Sequence, residues 1–254
     1  MKMHELHKPT ERVVKILEKL SSVTGGLGLA ELSHELNIPK GTLFPILRTL
    51  VEFKYLEFSN SSKTYQLGVR LFTTGAKSLT ESSQYKSINK ALQRITKVCN
   101  ETSQFGVLEE GNVLYIAKED SDQSLRIRSS IGIQLPAYAT AIGKALLSDM
   151  SMDELTHLYA SGLKPLTHKT ITSIEVLYKQ ICLVNETGFA YEVEESNESI
   201  RCIAKPLRVN GKIVAAISVA IPLFRYTEDL QKIIEQQLTI VGLELEQIIP
   251  FIIG

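Results

Sequence analysis

LAELSHELNIPKGTLFPILRTL, residues 29–50, is the stretch that decides the fold of the N-terminal part of the chain. Its first eight residues place their leucines on one face of a short helix. That pattern stops at Asn37, and Pro39 suits the opening of a further helix over 40–52. Two short helices joined by a tight turn are typical of a helix-turn-helix, whose second helix enters the major groove of DNA.

The flanking segments predict a winged form of this motif. Before it, apolar residues between 11 and 20 recur at helical spacing and predict a first helix. After it, YLEFS (55–59) and KTYQL (63–67) are strand-like runs around a turn-rich tip at 60–62. We interpret this hairpin as the wing and residues 1–67 as a winged helix-turn-helix DNA-binding domain.

Three side chains of the second helix are candidates for DNA contact. Lys40, Thr42 and Arg48 are donors suited to phosphates and to base edges in the major groove. From the residues alone, a solvated helix face explains them equally well. In the wing, Lys63 is the preferred contact, because the tip serines are common turn formers. Pro45 removes a backbone donor inside the helix, and the sequence leaves open whether it kinks there.

A change of pattern near residue 82 indicates a second domain. Residues 68–83 are predicted to form a linker helix, and residues 84–254 mix strands with helices. Gly111-Asn112 and Asn210-Gly211 are hairpin turn signals. The strand-like runs are 105–110, 113–119, 124–131, 189–194, 201–209 and 212–221.

Helical patterns separate these strands. They cover 88–99 and 139–150, then begin at capping-box sequences at Ser151 and Thr172, and finally at Thr227. Gly188 is the predicted end of the helix that Thr172 begins. One antiparallel sheet with helices beside it makes this an α+β domain of the sensor type.

Bulk composition fits a two-domain globular protein. The 254 residues are 44% hydrophobic and 22% charged, with no net charge. Residues 1–75 hold ten Lys or Arg and seven Asp or Glu, a balance of +3, and the remainder holds 18 and 21, a balance of −3. The positive balance of the N-terminal part suits a DNA-binding domain.

Compartment and cofactors follow from what the sequence lacks. No N-terminal stretch resembles a secretory signal, and the longest apolar run, 213–224, is shorter than a membrane span. We therefore expect a cytoplasmic protein with no membrane partner. The three cysteines are widely spaced and include no CxxC pair, so we expect no disulfide framework, no metal site and no cofactor.

Several strings resemble the isocitrate lyase regulator (IclR) family of bacterial transcription factors. The run 29–50 followed by TYQLGVRLFTTG is similar to the family's helix-turn-helix, wing and linker entry. LPAYATAIGKALLSDM (135–150) and GFAYEVEESNESIRCIAKPLRVNGKIVAAISVAIP (188–222) resemble its C-terminal signatures. The resemblance implies a C-terminal, GAF-like effector-binding domain whose antiparallel sheet is flanked by helices.

The resemblance also implies the position of an effector site. The matching residues are Leu135, Ala141, Ile142, Glu192, Ile200, Cys202, Ser218 and Ala220. Ala141 and Ile142 begin a helix, where backbone N–H groups attract a carboxylate. Read without the resemblance, most of these residues would pass for core, and only Glu192 and Ser218 offer side-chain polarity.

Three departures bear on the ligand. Family members usually carry histidine at Tyr138, a small residue at Ile142 and glycine at Ser199, so each substitution enlarges a side chain. With few donors at Ile142 and Ala220, we expect a small organic acid that is apolar and preferably aromatic or ring-containing, rather than a very small keto acid.

Two other classes of function are less compatible with the sequence. An enzyme is disfavoured because the chain has no GxSxG, P-loop, GxGxxG or HExxH motif. A thiol redox sensor would use Cys202, but such sensors need an exposed thiol of low pKa, and this cysteine stands between Ile200 and Ile203 on a strand.

The expected partners are therefore double-stranded operator DNA, an organic-acid effector and a second copy of the chain. A single recognition helix reads too few base pairs for a specific site, so we predict a homodimer spanning two half-sites. The resemblance adds a dimer of dimers as an alternative. The residues do not decide between repression, the working hypothesis, and activation.

Overall fold

A computed structural model describes residues 6–81, 83–123 and 130–248. The contacts divide the chain into two compact units, Met1–Glu81 and Ser82–Gly254. Within the described residues, every helix is either too short or too polar to span a lipid bilayer.

The first unit is a winged helix-turn-helix, as predicted. Its helices and strands, in chain order, are α1 Lys8–Ser21, β1 Leu27–Gly28, α2 Leu29–Glu35, α3 Lys40–Glu52, β2 Leu56–Ser59, β3 Thr64–Leu67 and α4 Val69–Glu81. The strands form an antiparallel sheet in the order β1-β3-β2. The two-residue strand β1 was not predicted, and α4 lies in the segment predicted as the linker helix.

One apolar core fixes the two helices of the motif. Leu32 of α2 and Leu43 and Leu47 of α3 are fully buried in it. The connecting turn places Asn37 at φ 51°, in the left-handed region that asparagine tolerates better than most residues. The Ser33 hydroxyl donates to the Ile38 carbonyl over 2.7 Å and closes the turn.

Pro45 lies inside α3, which continues past it to Glu52. Proline cannot donate to the carbonyl of residue 41, so one rung of the helix ladder is missing. The next turn gains a local bond instead, because Thr49 Oγ1 donates to the Pro45 carbonyl over 2.9 Å. Pro45 therefore does not end the recognition helix.

The second unit is α+β, as predicted. Its elements are α5 Ser83–Cys99, β4 Thr102–Glu109, β5 Asn112–Glu119, β6 Gln134–Pro136, α6 Ala141–Leu146, α7 Met152–Leu158, α8 Ile174–Thr187, β7 Ala190–Val193, β8 Ile200–Val209, β9 Lys212–Pro222 and α9 Glu228–Ile248. The six strands form one antiparallel sheet in the order β6-β5-β4-β9-β8-β7.

Each face of this sheet has its own core. Helices α5 and α9 cover one face, where Phe105 and Ile217 are buried. Helices α6, α7 and α8 belong to the core of the opposite face, which holds Ala204 and Ala216. Because successive side chains of a strand point to opposite faces, Ile217 and Ser218 of β9 lie on opposite sides of the sheet.

Several sequence-based boundaries were wrong. Helix α6 covers six residues instead of twelve, because Thr140 caps it and a 3₁₀ turn occupies 137–139. Helix α8 is capped by Ser173, whose side chain accepts from Val176 N, and not by Thr172. The first hairpin turns at Glu110-Gly111, with φ of 46° and 81°. Of the predicted strand 124–131, residues 124–129 lie outside the described residues.

Other local predictions were correct. Ser151 and Glu154 form the predicted capping box of α7. Gly188 ends α8 at φ 81°. The hairpin between β8 and β9 turns at Asn210-Gly211, with φ of 50° and 78°. Both positive angles are those of a type I′ turn, in which asparagine and glycine are favoured.

Candidate DNA-binding surface and effector site

The recognition helix α3 presents a mixed basic and aromatic face. Lys40 and Arg48, both predicted contacts, are exposed, whereas Thr42 is half-buried. Phe44 stands midway between the two cations and is 51% exposed. Residues four apart share one face of a helix, so Lys40, Phe44 and Arg48 form a single row. Sequence reasoning missed Phe44, although this spacing could have revealed it.

Lys63 lies in the turn of the wing. It is exposed and adopts φ 57°, in the left-handed region common in tight turns. The tip hydroxyls bond to one another, Ser59 with Ser61 over 3.0 Å and Ser62 with Thr64 over 2.7 Å. These bonds agree with the interpretation of the serines as turn formers.

The predicted effector residues gather on one side of the second unit's sheet. Cross-strand pairing aligns Glu192 of β7 with Cys202 of β8, and Cys202 with Ala220 of β9. Ile200 and Ser218 follow the same alternation and share this side, which we call the effector face. Ala141 and Ile142 of α6 belong to the core packed on this side, and Leu135 of β6 lies half-buried at its margin.

The start of α6 offers less to an anion than the sequence suggests. Its Gly143 N–H already donates to the Thr140 hydroxyl over 3.0 Å. Ala141 and Ile142 are 1% and 2% exposed. The helix is also only six residues long, so its dipole is small.

A polar row that the sequence did not reveal crosses the effector face. Gln104 of β4 pairs with Ser218 on one side and with Lys118 of β5 on the other. The Lys118 side chain is only 10% exposed, and its Nζ lies 2.6 Å from Asp120. Gln104 is 5% exposed and accepts from Ser218 Oγ at 3.4 Å. A cation, an amide and a hydroxyl therefore share one row.

Glu192 is a deeply buried titratable group of the effector face. It is fully buried, and its Oε1 accepts from the backbone N–H groups of Glu195 and Ser196 at 2.6 and 3.0 Å. Burial nevertheless raises its pKa. Among the described residues, Glu192 Oε2 has no hydrogen-bond partner, and neither has the buried Oγ of Ser121.

Cys202 and Tyr115 lie beside this carboxyl group. The pKa of Cys202 is raised well above its ordinary value, first by burial and then by the charge of Glu192. A redox-active thiol needs the opposite shift. Burial also raises the pKa of Tyr115, and the nearby Cys202 and Glu192 raise it further. Both side chains are therefore neutral groups of the effector face.

Within 6–81, 83–123 and 130–248, no three His, Cys, Asp or Glu side chains converge as ligands.

Comparison with known proteins decides the family. The family described as bacterial transcriptional regulator IclR C-terminal matches residues 76–244, and the IclR helix-turn-helix domain matches residues 9–59. The chain belongs to the IclR family of transcription regulators. It is a DNA-binding regulator, and its relatives are transcription regulators rather than enzymes.

Individual relatives agree along most of the chain. The HTH-type transcriptional regulator KdgR of Escherichia coli is 34% identical over 205 residues, which are 80% of this chain and 78% of KdgR. The fold is shared by an IclR-family regulator from Alicyclobacillus acidocaldarius, with a TM-score of 0.84 at 22% identity over 96% of this chain and 99% of that one. An IclR homolog from Microbacterium hydrocarbonoxydans, solved with 4-hydroxybenzoate, gives a TM-score of 0.75 at 20% identity over 94% of this chain and 99% of that one.

Two of the departures from the IclR pattern have structural consequences. Tyr138 is 5% exposed and packs edge-to-face on Tyr159, with ring centroids 5.3 Å apart. Its hydroxyl donates to the Lys164 carbonyl at 2.8 Å and accepts from the Lys164 N–H at 3.0 Å. Ser199 stands at φ 61°, in the left-handed region that glycine adopts most easily, which is consistent with the expected glycine at this position in other family members.

Proposed function

We propose that this cytoplasmic IclR-family regulator binds a ring-containing organic acid on the effector face and that this acid controls operator binding, with repression as the mode. The observation that carries the proposal is Lys118, a cation on a largely buried sheet face. A largely buried lysine beside Gln104 and Ser218 favours a carboxylate, which would take the place of the more exposed Asp120 as the partner of Lys118 Nζ. The predicted residues Leu135, Ala141, Ile142, Glu192, Ile200, Cys202, Ser218 and Ala220 form the rest of the site.

Glu192 complements the acid in a second way. Because burial raises its pKa, the protonated form is favoured relative to an exposed glutamate. A protonated Oε2 donates a hydrogen bond; among the described residues this atom has no partner, although the Cys202 thiol hydrogen-bonds to the same carboxyl group. It could bind a hydroxyl or second oxygen of the ligand, while Ala220 and Cys202 contact the ring. The bound 4-hydroxybenzoate of the Microbacterium homolog belongs to the same chemical class.

A thermal-shift series tests the effector site. We expect benzoate or 4-hydroxybenzoate to raise the melting temperature of the full chain, since a ligand that binds only the folded state stabilises it. Lys118→Met should abolish the shift. Lys212→Met, at an exposed lysine that begins β9, is the matched control and should keep it. A shift given by pyruvate but not by the ring acids would contradict the ligand class, and a shift retained in Lys118→Met would contradict the site.

For operator DNA, we propose that Lys40, Thr42 and Arg48 of α3 and Lys63 of the wing make the contacts, with Phe44 against a thymine methyl group. Lys40→Ala and Arg48→Ala should each weaken binding to a fragment of the protein's own promoter region and lower the salt dependence by about one phosphate contact. Lys15→Ala, which removes an exposed cation of α1, should change neither. Normal binding by both α3 variants would show that another surface meets the DNA.

We further propose a homodimer, with a dimer of dimers as the alternative, because two half-sites need two recognition helices. Sedimentation equilibrium with and without operator DNA tests this. A monomeric mass under both conditions would contradict it.

A further inference from the structure

A groove of the second unit lies outside the effector face. It has a volume of about 430 Å³ and runs between α8 and the edge strand β7. Leu183 and Val184 form its wall on α8, and Phe189 and Val193 border it on the side of β7. None of the eight predicted effector residues lines it. A volume of this size falls in the range of small-molecule pockets, roughly 300–1,000 Å³.

The walls of the groove are apolar and accessible. Leu183 is 53% exposed, although it is a leucine on a helix whose opposite face is buried in the core. Phe189 stands at the end of α8, with Lys205 Nζ 5.2 Å from its ring centroid. Apolar side chains in a concave surface favour a ring or a branched hydrocarbon.

The polar end of the groove is a buried ion pair. Lys144 is 1% exposed, and its Nζ donates to Gln180 Oε1 and to Glu195 Oε1, both over 2.7 Å. An ammonium group has three donors, so these two bonds leave one. Glu195 is 7% exposed, and its Oε2 has no hydrogen-bond partner among the described residues. Lys144 and Glu195 both line the groove, which therefore ends beside one donor and one acceptor with unused hydrogen-bonding capacity, although Glu195 Oε2 itself is buried.

This pair of groups selects the ligand's polar atom. A hydroxyl group both donates and accepts, so it can serve Glu195 Oε2 and the third donor of Lys144 together. A carboxylate would place a second negative charge beside Glu195, and an ammonium group would compete with Lys144. Burial raises the pKa of Glu195 in spite of Lys144, which is consistent with a preference for a neutral ligand at this end of the groove.

We propose that the groove is a second ligand site, distinct from the effector site, and that it takes a neutral apolar molecule bearing a hydroxyl group, such as a phenol. The ring lies against Leu183, Val184 and Phe189, and the hydroxyl group meets Lys144 and Glu195. The proposal does not rest on the effector site, because the two sites share no residue named for binding and differ in ligand charge.

Binding of 2-naphthol to the full-length protein tests the proposal. The chain has no tryptophan, so the fluorescence of the naphthol can be excited without interference from the protein. We expect saturable binding of one equivalent per chain. Leu183→Glu should weaken it about tenfold or more, a change of about 1.4 kcal/mol in binding free energy.

Matched controls test whether the naphthol occupies this groove. Val176→Glu replaces another apolar residue of α8, 46% exposed and outside the groove lining, and should leave the affinity unchanged. Lys118→Met, which disables the proposed effector site, should also leave 2-naphthol binding unchanged. An excess of 2-naphthoate should not displace the naphthol.

Three results would overturn the proposal. The first is no saturable binding of 2-naphthol by the parent protein. The second is equal affinity in the parent and in Leu183→Glu, which would place the naphthol elsewhere. The third is a combination of two results: the parent does not bind naphthol, and Leu183→Glu changes the oligomeric state. It would show that a second copy of the chain covers the groove.

Discussion

Glu195 contacts both Lys144 and Glu192: its Oε1 accepts from Lys144 Nζ at 2.7 Å, while only 1% of the lysine remains exposed. The backbone N–H of Glu195 donates to Glu192 Oε1 at 2.6 Å. Glu195 thus lines the groove, and Glu192 lies on the effector face.

The first prediction concerns the ion pair between Lys144 and Glu195. Lys144→Met leaves Glu195 buried without its counter-charge, so it should lower the free energy of unfolding by about 3–5 kcal/mol. The double variant Lys144→Met/Glu195→Leu removes both charges and should recover most of that loss. Urea denaturation followed by circular dichroism measures both. If the free energy of unfolding of Lys144→Met lay within about 1 kcal/mol of the parent value, the ion pair would be dispensable for stability.

The second prediction concerns pH and Glu192. Burial raises its pKa above the ordinary 4.5, so its protonated form favours the folded state. The stability gained in this way is complete below pH 4.5 and is lost as the pH rises through the folded-state pKa. Glu192→Gln imitates the protonated group and should become more stable relative to the parent between pH 4.5 and neutrality.

The measurement is the difference in unfolding free energy between the parent and Glu192→Gln across this interval. Glu186→Gln, at an exposed position of α8, controls for the loss of one carboxylate. A difference that does not change with pH would contradict the raised pKa.

The third prediction concerns Ile142, which is 2% exposed and packs in the core of the effector side. Ile142→Ala should destabilise the protein by about 2–5 kcal/mol, as expected for a large-to-small change in a core. Since Ile142 also stands at the start of α6, the variant should accept bulkier acids than the parent. Melting temperature and ligand profile are measured together. A large loss of stability with unchanged ligand preference would remove Ile142 from the effector site.

The fourth prediction concerns Gly143. A Cβ at this position would lie 2.0 Å from the Ala137 carbonyl oxygen, a contact that the backbone must move to relieve. Gly143→Ala should therefore cost about 1–3 kcal/mol of stability or more. Gly75→Ala in α4, where nothing lies within 4 Å, is the control and should be neutral or stabilising. If Gly143→Ala and Gly75→Ala changed the free energy of unfolding equally, α6 would pack less closely against the preceding 3₁₀ turn than the structure shows.

Local signals explain why the helices of the first unit could be predicted from the sequence. Pro39 marks the start of α3, whose bounds, Lys40–Glu52, agree with the prediction. Strand β1 was missed because it is two residues long and is defined by pairing with β3 and not by its own pattern. A strand of this length has no periodicity to detect.

The polar row of the effector face could not be predicted because it depends on the register of distant strands. Gln104 meets Ser218 across 114 positions of the chain. Lys118 joins them only because a bulge between Phe105 and Gly106 shifts the pairing of β4 with β5. A one-residue change of register would send Lys118 to the opposite face. The groove beside β7 likewise combines α6, α8 and the sheet edge, which no local pattern connects.

The order of strands in the second unit bears on how the protein behaves outside the folded state. In the part of the chain that the structure describes, the sheet ends in the short strands β6 and β7, of three and four residues. The longest strand, β9, has eleven residues and lies between β4 and β8. Short edges give a neighbouring molecule little backbone to pair with, whereas an unfolded chain exposes the apolar sequence KIVAAISVAIP. Aggregation should therefore depend on protein concentration during refolding much more than during storage of the native protein.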